Sequence, residues 1–154
     1  MKIAVISDSH GVIPQEVFQE LRDCSCILHA GDIVRAIDLD ELGVYGHLYA
    51  VRGNCDTWVP GLRDLQQILR FTLEGVRFCM THRPEDVPRD LTGVDAVIYG
   101  HTHEYREEWI SNVLWLNPGS CRKPRYGDPP TMAKLTIENG KIGSVQRINL
   151  EERY

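Results

Sequence analysis

Met1-Lys2-Ile3-Ala4-Val5-Ile6-Ser7-Asp8-Ser9-His10 opens the chain with an apolar run that breaks into an acid and an imidazole. MKIAVIS has the length and the Val/Ile content of a buried strand. The same two-part phrase returns along the sequence. Cys26–His29 (CILH) precedes Gly31-Asp32, and Leu48–Val51 (LYAV) precedes Gly53-Asn54-Cys55-Asp56. Phe78–Thr81 (FCMT) precedes His82, and Val94–Tyr99 (VDAVIY) precedes Gly100-His101-Thr102-His103. Residues i and i+2 of an extended strand point to one side, so Asp8 with His10, and His101 with His103, are expected to aim two donors at one point. In open α/β sheets ligands gather at the C-terminal ends of the strands, where loops carry the chemistry. Loops from all five strands are therefore expected to converge. Asp8, His10, Asp32, Asn54, His82, His101 and His103 together make a ligand set for two metal ions, which puts hydrolysis first among the functions to consider.

Outward from these phrases, strand and helix alternate in the first half. Pro14 suits a first helical turn, with Val17, Phe18 and Leu21 as its apolar stripe and Asp23 at its end. Asp38–Leu42 reads as a second, shorter helix stopped by Gly43, and Glu85–Leu91 as a weaker third. Ile68–Leu73 and Val76–Thr81, joined by Glu74-Gly75, read as a hairpin whose aromatics belong to the core or, alternatively, to a contact between copies of the chain. After residue 104 the pattern turns to strands: Tyr105–Ile110, Val113–Leu116, Met132–Glu138 and Lys141–Asn149, with Asn139-Gly140 as a hairpin turn. Helices flanking two packed sheets accommodate both halves.

The 154 residues, 42% apolar and 25% charged, fit one soluble domain, 1–154. No stretch approaches the ~18–20 apolar residues of a membrane span, and Met1-Lys2 runs directly into a strand. A cytoplasmic protein is expected. Five cysteines without a CxxC pair fit reduced thiols, and Cys24/Cys26 lack further cysteine partners for zinc. A net charge of −5 provides no broad footprint for duplex nucleic acid and leaves a small phosphorylated substrate open.

The order DxH, GD, GNxD, an isolated His and GHxH resembles that of the calcineurin-like metallophosphoesterases. The short chain with GNCD and NPGS (117–120) is similar to their YfcE-type phosphodiesterase branch. The resemblance runs from Met1 to about Arg125 and covers every ligand position. It implies an α/β metallophosphoesterase-like β-sandwich of two mixed sheets flanked by helices, with a dinuclear centre at the strand ends. One metal is then held by Asp8, His10, Asp32 and His103, the other by Asp32, Asn54, His82 and His101. Asp32 is the bridge, since a carboxylate can bind two cations ~3.5–4 Å apart. Gly31, Gly53 and Gly100 are expected to supply tight turns beside these ligands. The implied reaction is hydrolysis of small phosphodiesters by in-line attack of a hydroxide bridging the metals, with Asn54 donating to a phosphate oxygen. Asp32, Asn54 and His101 form the catalytic set. Mn2+ heads the expected metals, with Fe2+, Zn2+, Co2+ and Ni2+ also suited to imidazole and carboxylate.

Two positions depart from the wider superfamily. Cys55 stands where many members have a His that protonates the leaving group. A thiol of pKa ~8.5 donates less readily than an imidazolium of ~6.5, so activated leaving groups are favoured. Arg83 follows His82 where Gly is common, and is either a surface residue or a hold on a nonbridging phosphate oxygen. Cys55 and Arg83 join Asn54 as substrate-binding candidates. His29 and His47 read as structural, with support of a ligand as the alternative for His29, and Asp56 reads as a turn residue or one that orients an imidazole. Asn117–Ser120 is first a loop, and Arg122, Lys123 and Arg125 form a small basic face. The competing functions are a phosphomonoesterase or nuclease of the same fold, or a protein-binding scaffold like the retromer subunit that shares the architecture. A homo-oligomer is also open.

Overall fold

The computed structural model describes residues 1–150; the last four positions of the expected 1–154 domain lie outside the described residues. Ten strands form two five-stranded mixed sheets. The first sheet contains β1 (Lys2–Ile6), β2 (Cys26–His29), β3 (His47–Ala50), β9 (Thr131–Glu138) and β10 (Lys141–Asn149), in the order β10-β9-β1-β2-β3. The second contains β4 (Ile68–Leu73), β5 (Val76–Thr81), β6 (Ala96–Ile98), β7 (Tyr105–Ile110) and β8 (Val113–Pro118), in the order β4-β5-β6-β8-β7.

Alternation along β1 explains the layers. Ile3 and Val5 point into the core between the sheets, where they meet Leu28, Phe78, Met80, Ile98, Leu114 and Leu135. Ala4 and Ile6 point the other way, toward Val17 and Leu21 of α1 (Gln15–Leu21) and Leu42 of α2 (Ile37–Gly43). A strand covered on both faces must be apolar throughout, which is why MKIAVIS shows no alternation of polarity. Tyr49, Phe71 and Phe78 stack in series in the inter-sheet core, with ring centroids 4.3 and 5.1 Å apart. The aromatic face of the β4–β5 hairpin is thus used inside the molecule. Truncating fully buried Phe78 to alanine would cost about 3–5 kcal/mol.

Strand direction positions the site. β1, β2 and β3 run parallel to one another, as do β5, β6 and β8. Their C-terminal ends supply residues 7–10, 30–32, 51–56, 81–83 and 100–103, together with the Asn117–Ser120 segment. The antiparallel strands β4 and β7 form both edges of the second sheet, while antiparallel β9 and β10 extend the first from β1 and leave β3 as its other edge.

The expected helix Glu85–Leu91 does not form: a single 3-10 turn, Pro84–Asp86, is followed by irregular chain. Pro88 is the cause. The residue before a proline is driven out of helical space, and Val87 sits at φ −64°, ψ 127°. Its apolar residues are still used, since Val87 and Leu91 cover Cys79, Val97 and Tyr99 on the outer face of the second sheet. Asn117-Pro118, expected in a loop, instead ends β8. All five cysteines are free, and only Cys55 is exposed.

Candidate metal centre

The first sheet contributes Asp8, His10, Asp32, Asn54 and Cys55, and the second contributes His82, His101 and His103. Their donors form three overlapping groups, each with its atoms within 4.8 Å of one another: Asp8/His10/His103, Asp32/His82/His101 and His10/Asp32/Cys55. Asp32 Oδ2 lies 3.8 Å from His10 Nε2 and 3.2 Å from His82 Nε2, between the two imidazole groups. Asp8 Oδ1 lies 3.3 Å from His103 Nε2 and 3.8 Å from both His10 Nε2 and His82 Nε2. The Nε2 atoms of His10 and His103 face each other at 3.2 Å. Asn54 is exposed in the turn Asn54–Asp56; it lines a cleft with His82, and its Nδ2 is 3.6 Å from Cys55 Sγ. Arg83, also exposed, lies on the same cleft.

The means of convergence differs from strand alternation. Asp8, His10, His101 and His103 have φ of 55°, 47°, 74° and 60°, and Asp32 has 58°. These are left-handed residues in loops beyond the strand ends, so each DxH or HxH pair is aimed by a folded turn. The glycines also act differently from expectation at two of three positions. Gly31 has φ 102° and does serve the turn. Gly53 and Gly100 are needed for close approach. A Cβ on Gly53 would sit 2.1 Å from Asp32 Oδ1, and one on Gly100 would sit 2.1 Å from Ser7 Oγ.

Neighbouring groups set the imidazole tautomers. His82 Nδ1 donates to Ala30 O at 2.7 Å and His103 Nδ1 donates to Lys123 O. A carbonyl only accepts, so in each neutral ring the proton is on Nδ1 and the Nε2 lone pair faces the cluster. His82 Nε2 and Asp8 Oδ1 are both buried and have no hydrogen-bond partner among the described residues. Buried polar atoms are rarely left so, and two aimed at one centre fit a cation with nitrogen and oxygen ligands.

The charges agree with this arrangement. Burial opposes ionisation of Asp8, but its contact with His103, the charge of His82 and the Ser7 hydroxyl outweigh it and hold the carboxyl below its usual range. Burial likewise opposes ionisation of Asp32, and His82 with the Cys55 N–H more than reverses it. His82 is desolvated, which lowers its pKa, yet Asp32 and Asp8 raise it overall; contact with Asp8 raises His103. For His10, burial dominates and lowers it. Partial desolvation by its neighbours, followed by the Asp32 carboxylate, pushes the otherwise exposed Cys55 thiol up to about 11.

Two residues matter more than their sequence context indicates. Asp56, fully buried, orients no imidazole: its carboxylate accepts the backbone N–H groups of Asp32, Ile33, Val34 and Gly53 at 2.8–3.0 Å. It therefore clamps the Asp32 loop to the Asn54 loop. Asn117 Nδ2 donates to Gly100 O and Thr102 Oγ1, while its Oδ1 accepts from Gly119 N, and this braces the loop of His101 and His103. Ser120 Oγ donates to Asp8 O, and Arg122 donates to His10 O. Arg125 pairs instead with Glu104. His29 supports the neighbouring loops: fully buried, it accepts from Gly31 N through Nδ1 and bonds Ser9 Oγ through Nε2. His47 is exposed and packs its ring near Tyr49. Arg52, absent from the sequence-based set, lines the cleft beside Asn54; its place immediately before GNCD was the available signal.

Comparison with known proteins agrees with the fold. A probable metallophosphoesterase of Methanothermobacter thermautotrophicus is 36% identical over 157 residues, covering 92% of this chain and 89% of that protein. The phosphodiesterase YfcE of Escherichia coli K12 is 30% identical over 165 residues, covering 88% of this chain and 87% of its own. A solved structure of E. coli YfcE superposes with a TM-score of 0.73 at 25% identity, covering 97% of this chain and 100% of that one. The zinc complex of Vps29 from Entamoeba histolytica shares the fold, with a TM-score of 0.75 at 22% identity over 97% of this chain and 98% of that one. Among the described residues no helix is long and apolar enough to cross a membrane. Residues 1–140 match the calcineurin-like phosphoesterase superfamily domain, and the chain belongs to that family.

Proposed function

We propose that this chain, acting as one domain over residues 1–154, is a dimetal phosphodiesterase that hydrolyses small phosphodiesters. The observation that carries the reading is the cluster itself: two carboxylates and four imidazoles in groups no wider than 4.8 Å, with Asp8 Oδ1 and His82 Nε2 buried and unpartnered. Asp8, His10, Asp32 and His103 would hold one divalent ion, and Asp32, Asn54, His82 and His101 the other. Mn2+ heads the candidates, with Fe2+, Zn2+, Co2+ and Ni2+ suited to the same donors. When bound, such ions lower the pKa of water and neutralise phosphate charge.

The side chains account for the remaining chemistry. Asp32 supplies a carboxylate to both halves of the cluster, and its charge would reduce repulsion between bound cations. His82 and His103 keep Nε2 available because their Nδ1 protons are committed to Ala30 O and Lys123 O. Asn54, with an amide NH2 left to donate, and exposed Arg83 would grip nonbridging phosphate oxygens on the cleft side. Cys55 would line the site as a neutral thiol. With its pKa pushed up to about 11 it is a poor proton donor at neutral pH, so alcohols that leave without protonation should react fastest. Phosphodiesterase names among the relatives support diesters over monoesters. Five free cysteines fit a reducing cytoplasm.

The test is a metal-by-substrate matrix on stripped protein, comparing bis(p-nitrophenyl) phosphate, p-nitrophenyl phosphate and cyclic nucleotides. Metal-dependent cleavage with the diester fastest is expected. Faster monoester cleavage under every metal would overturn the diesterase assignment. Turnover that survives both chelation and His101→Ala would remove the metal mechanism.

A further inference from the structure

A cleft of about 200 Å3 opens beside Asn54 and His82, and its wall continues through Arg52, Thr57, Gln67 and Arg83. Four exposed arginines elsewhere have carboxylate partners, Arg35 with Asp38 and Glu41, Arg77 with Asp95, Arg106 with Glu108, and Arg125 with Glu104, whereas others, Arg63 and Arg89 among them, have none among the described residues. Arg52 and Arg83 have none among the described residues, although Asp86 lines the same cleft. Asp86 turns one oxygen to Gln67 Nε2 at 3.1 Å, and Arg52 spends one Nη on Arg63 O at 3.0 Å. Two guanidinium groups against one carboxylate leave the cleft net positive on a chain whose total charge is −5.

This charge and shape exceed what the reacting phosphate needs. That phosphate belongs at the carboxylate–imidazole cluster, at the His82 end, where Asn54 and one arginine are enough for its oxygens. The rest of the cleft is smaller than the ~300–1,000 Å3 of sites for drug-sized ligands, so it suits a short substituent. A guanidinium is built to hold a planar or tetrahedral oxyanion through two parallel N–H bonds. Building on the phosphodiesterase reading, we infer that the cleft lined by Arg52 and Arg83 selects phosphodiesters in which one ester arm is short and ends in a second anionic group, a carboxylate or a phosphate.

The experiment uses a matched set of p-nitrophenyl phosphodiesters with the full-length, metal-loaded protein. The leaving group is constant; the second arm is a two-carbon chain ending in a carboxylate, a phosphate, a hydroxyl or a trimethylammonium. In each case water's oxygen bonds to phosphorus, the P–O bond to nitrophenol breaks, nitrophenolate departs with the electron pair, and the arm remains as a phosphomonoester. Bis(p-nitrophenyl) phosphate serves as the reference diester. The anionic arms should exceed the hydroxyl arm about tenfold in kcat/KM, mostly through KM, and the cationic arm should rank last. The advantage should shrink with added salt. In Arg52→Gln/Arg83→Gln the anionic-to-neutral ratio should fall to about one, and Arg83→Lys should retain part of it. The ratio between arms is internal to each preparation, so a partly unfolded variant does not imitate the result, and the wild-type ranking and its salt dependence stand without any variant. Equal or faster turnover of the hydroxyl or cationic arm would overturn the inference while leaving the phosphodiesterase reading intact. An unchanged ratio in the double variant would move the discrimination away from this cleft. No metal-dependent cleavage of any diester, including the reference, would remove the phosphodiesterase reading itself. A carboxylate arm that outranks the phosphate arm, or the reverse, names the preferred oxyanion.

Discussion

The two sheets contribute unlike halves to one centre. Loops of the first sheet bring both carboxylates, Asp8 and Asp32, with Asn54 and His10; loops of the second bring only imidazoles, His82, His101 and His103. Their braces differ in kind as well. The first half is clamped by a buried carboxylate, Asp56, taking four backbone N–H groups, and the second by a neutral amide, Asn117, that both donates and accepts. The acidic half therefore depends on ionised groups that are costly to leave unpaired, whereas the imidazole half rests on neutral bonds individually worth about 1 kcal/mol. The site exists only where the two meet, so packing between the sheets is a condition of the chemistry.

The comparison is broken most directly at its centre. Asp32→Asn should lower turnover by at least ~1,000-fold and release metal, because a neutral amide cannot balance two cations. Metal content by mass spectrometry and rates on bis(p-nitrophenyl) phosphate check this, and a variant that retained two equivalents of metal would argue against a bridge. Asn54→Ala should reduce turnover about 100-fold while the Asp8/His10/His103 half retains its metal, seen as one equivalent bound. The braces come next. Asp56→Ala strands four backbone N–H groups, three of them buried, and should destabilise the fold by about 3–5 kcal/mol, against about 1–2 for Asn117→Ala. Urea unfolding of both would show whether the charged brace is indeed the stronger, and equal losses would erase the distinction.

A further effect concerns pH. His29 lies under the acidic half, and burial lowers its pKa to about 4. The unfolded chain takes up its proton near pH 6.5 while the folded chain refuses it until about 4. Stability from this residue is thus complete above about pH 6.5 and declines as pH falls toward 4, by up to about 3 kcal/mol. In metal-free protein, His29→Gln should show a shallower loss of stability over that window than the parent. Parallel curves would assign the acid sensitivity to other groups.

Much of this was legible in the sequence because it rests on strands buried on both faces. Runs such as MKIAVIS and VDAVIY have few alternative structures, and the polar letters that follow them mark loops at one sheet edge. The GNCD and GHTH phrases gave the donors. The illegible parts arose from geometry that leaves little trace in residue type. The Glu85–Leu91 segment kept its apolar residues but lost its helix to Pro88, whose effect on Val87 outweighed the pattern. Asp56 looked like a turn residue because its four partners are backbone groups, three of them more than twenty positions away. Arg52 stands immediately before GNCD, but its place on one cleft wall with Arg83 comes only from the fold.

The left-handed backbone at Asp8, His10, Asp32, His101 and His103 bears on how such chains diverge. Apart from glycine, the residues that tolerate this region best are Asn, Asp and His, which are also among the commonest metal donors. Two selective pressures, one from conformation and one from coordination, therefore favour the same letters at these five sites. A descendant that ceased to bind metal could keep most of the motif for conformational reasons alone. Retention of the letters in a distant homologue is consequently weaker testimony to catalysis than the unpartnered, inward-facing atoms described for Asp8 and His82.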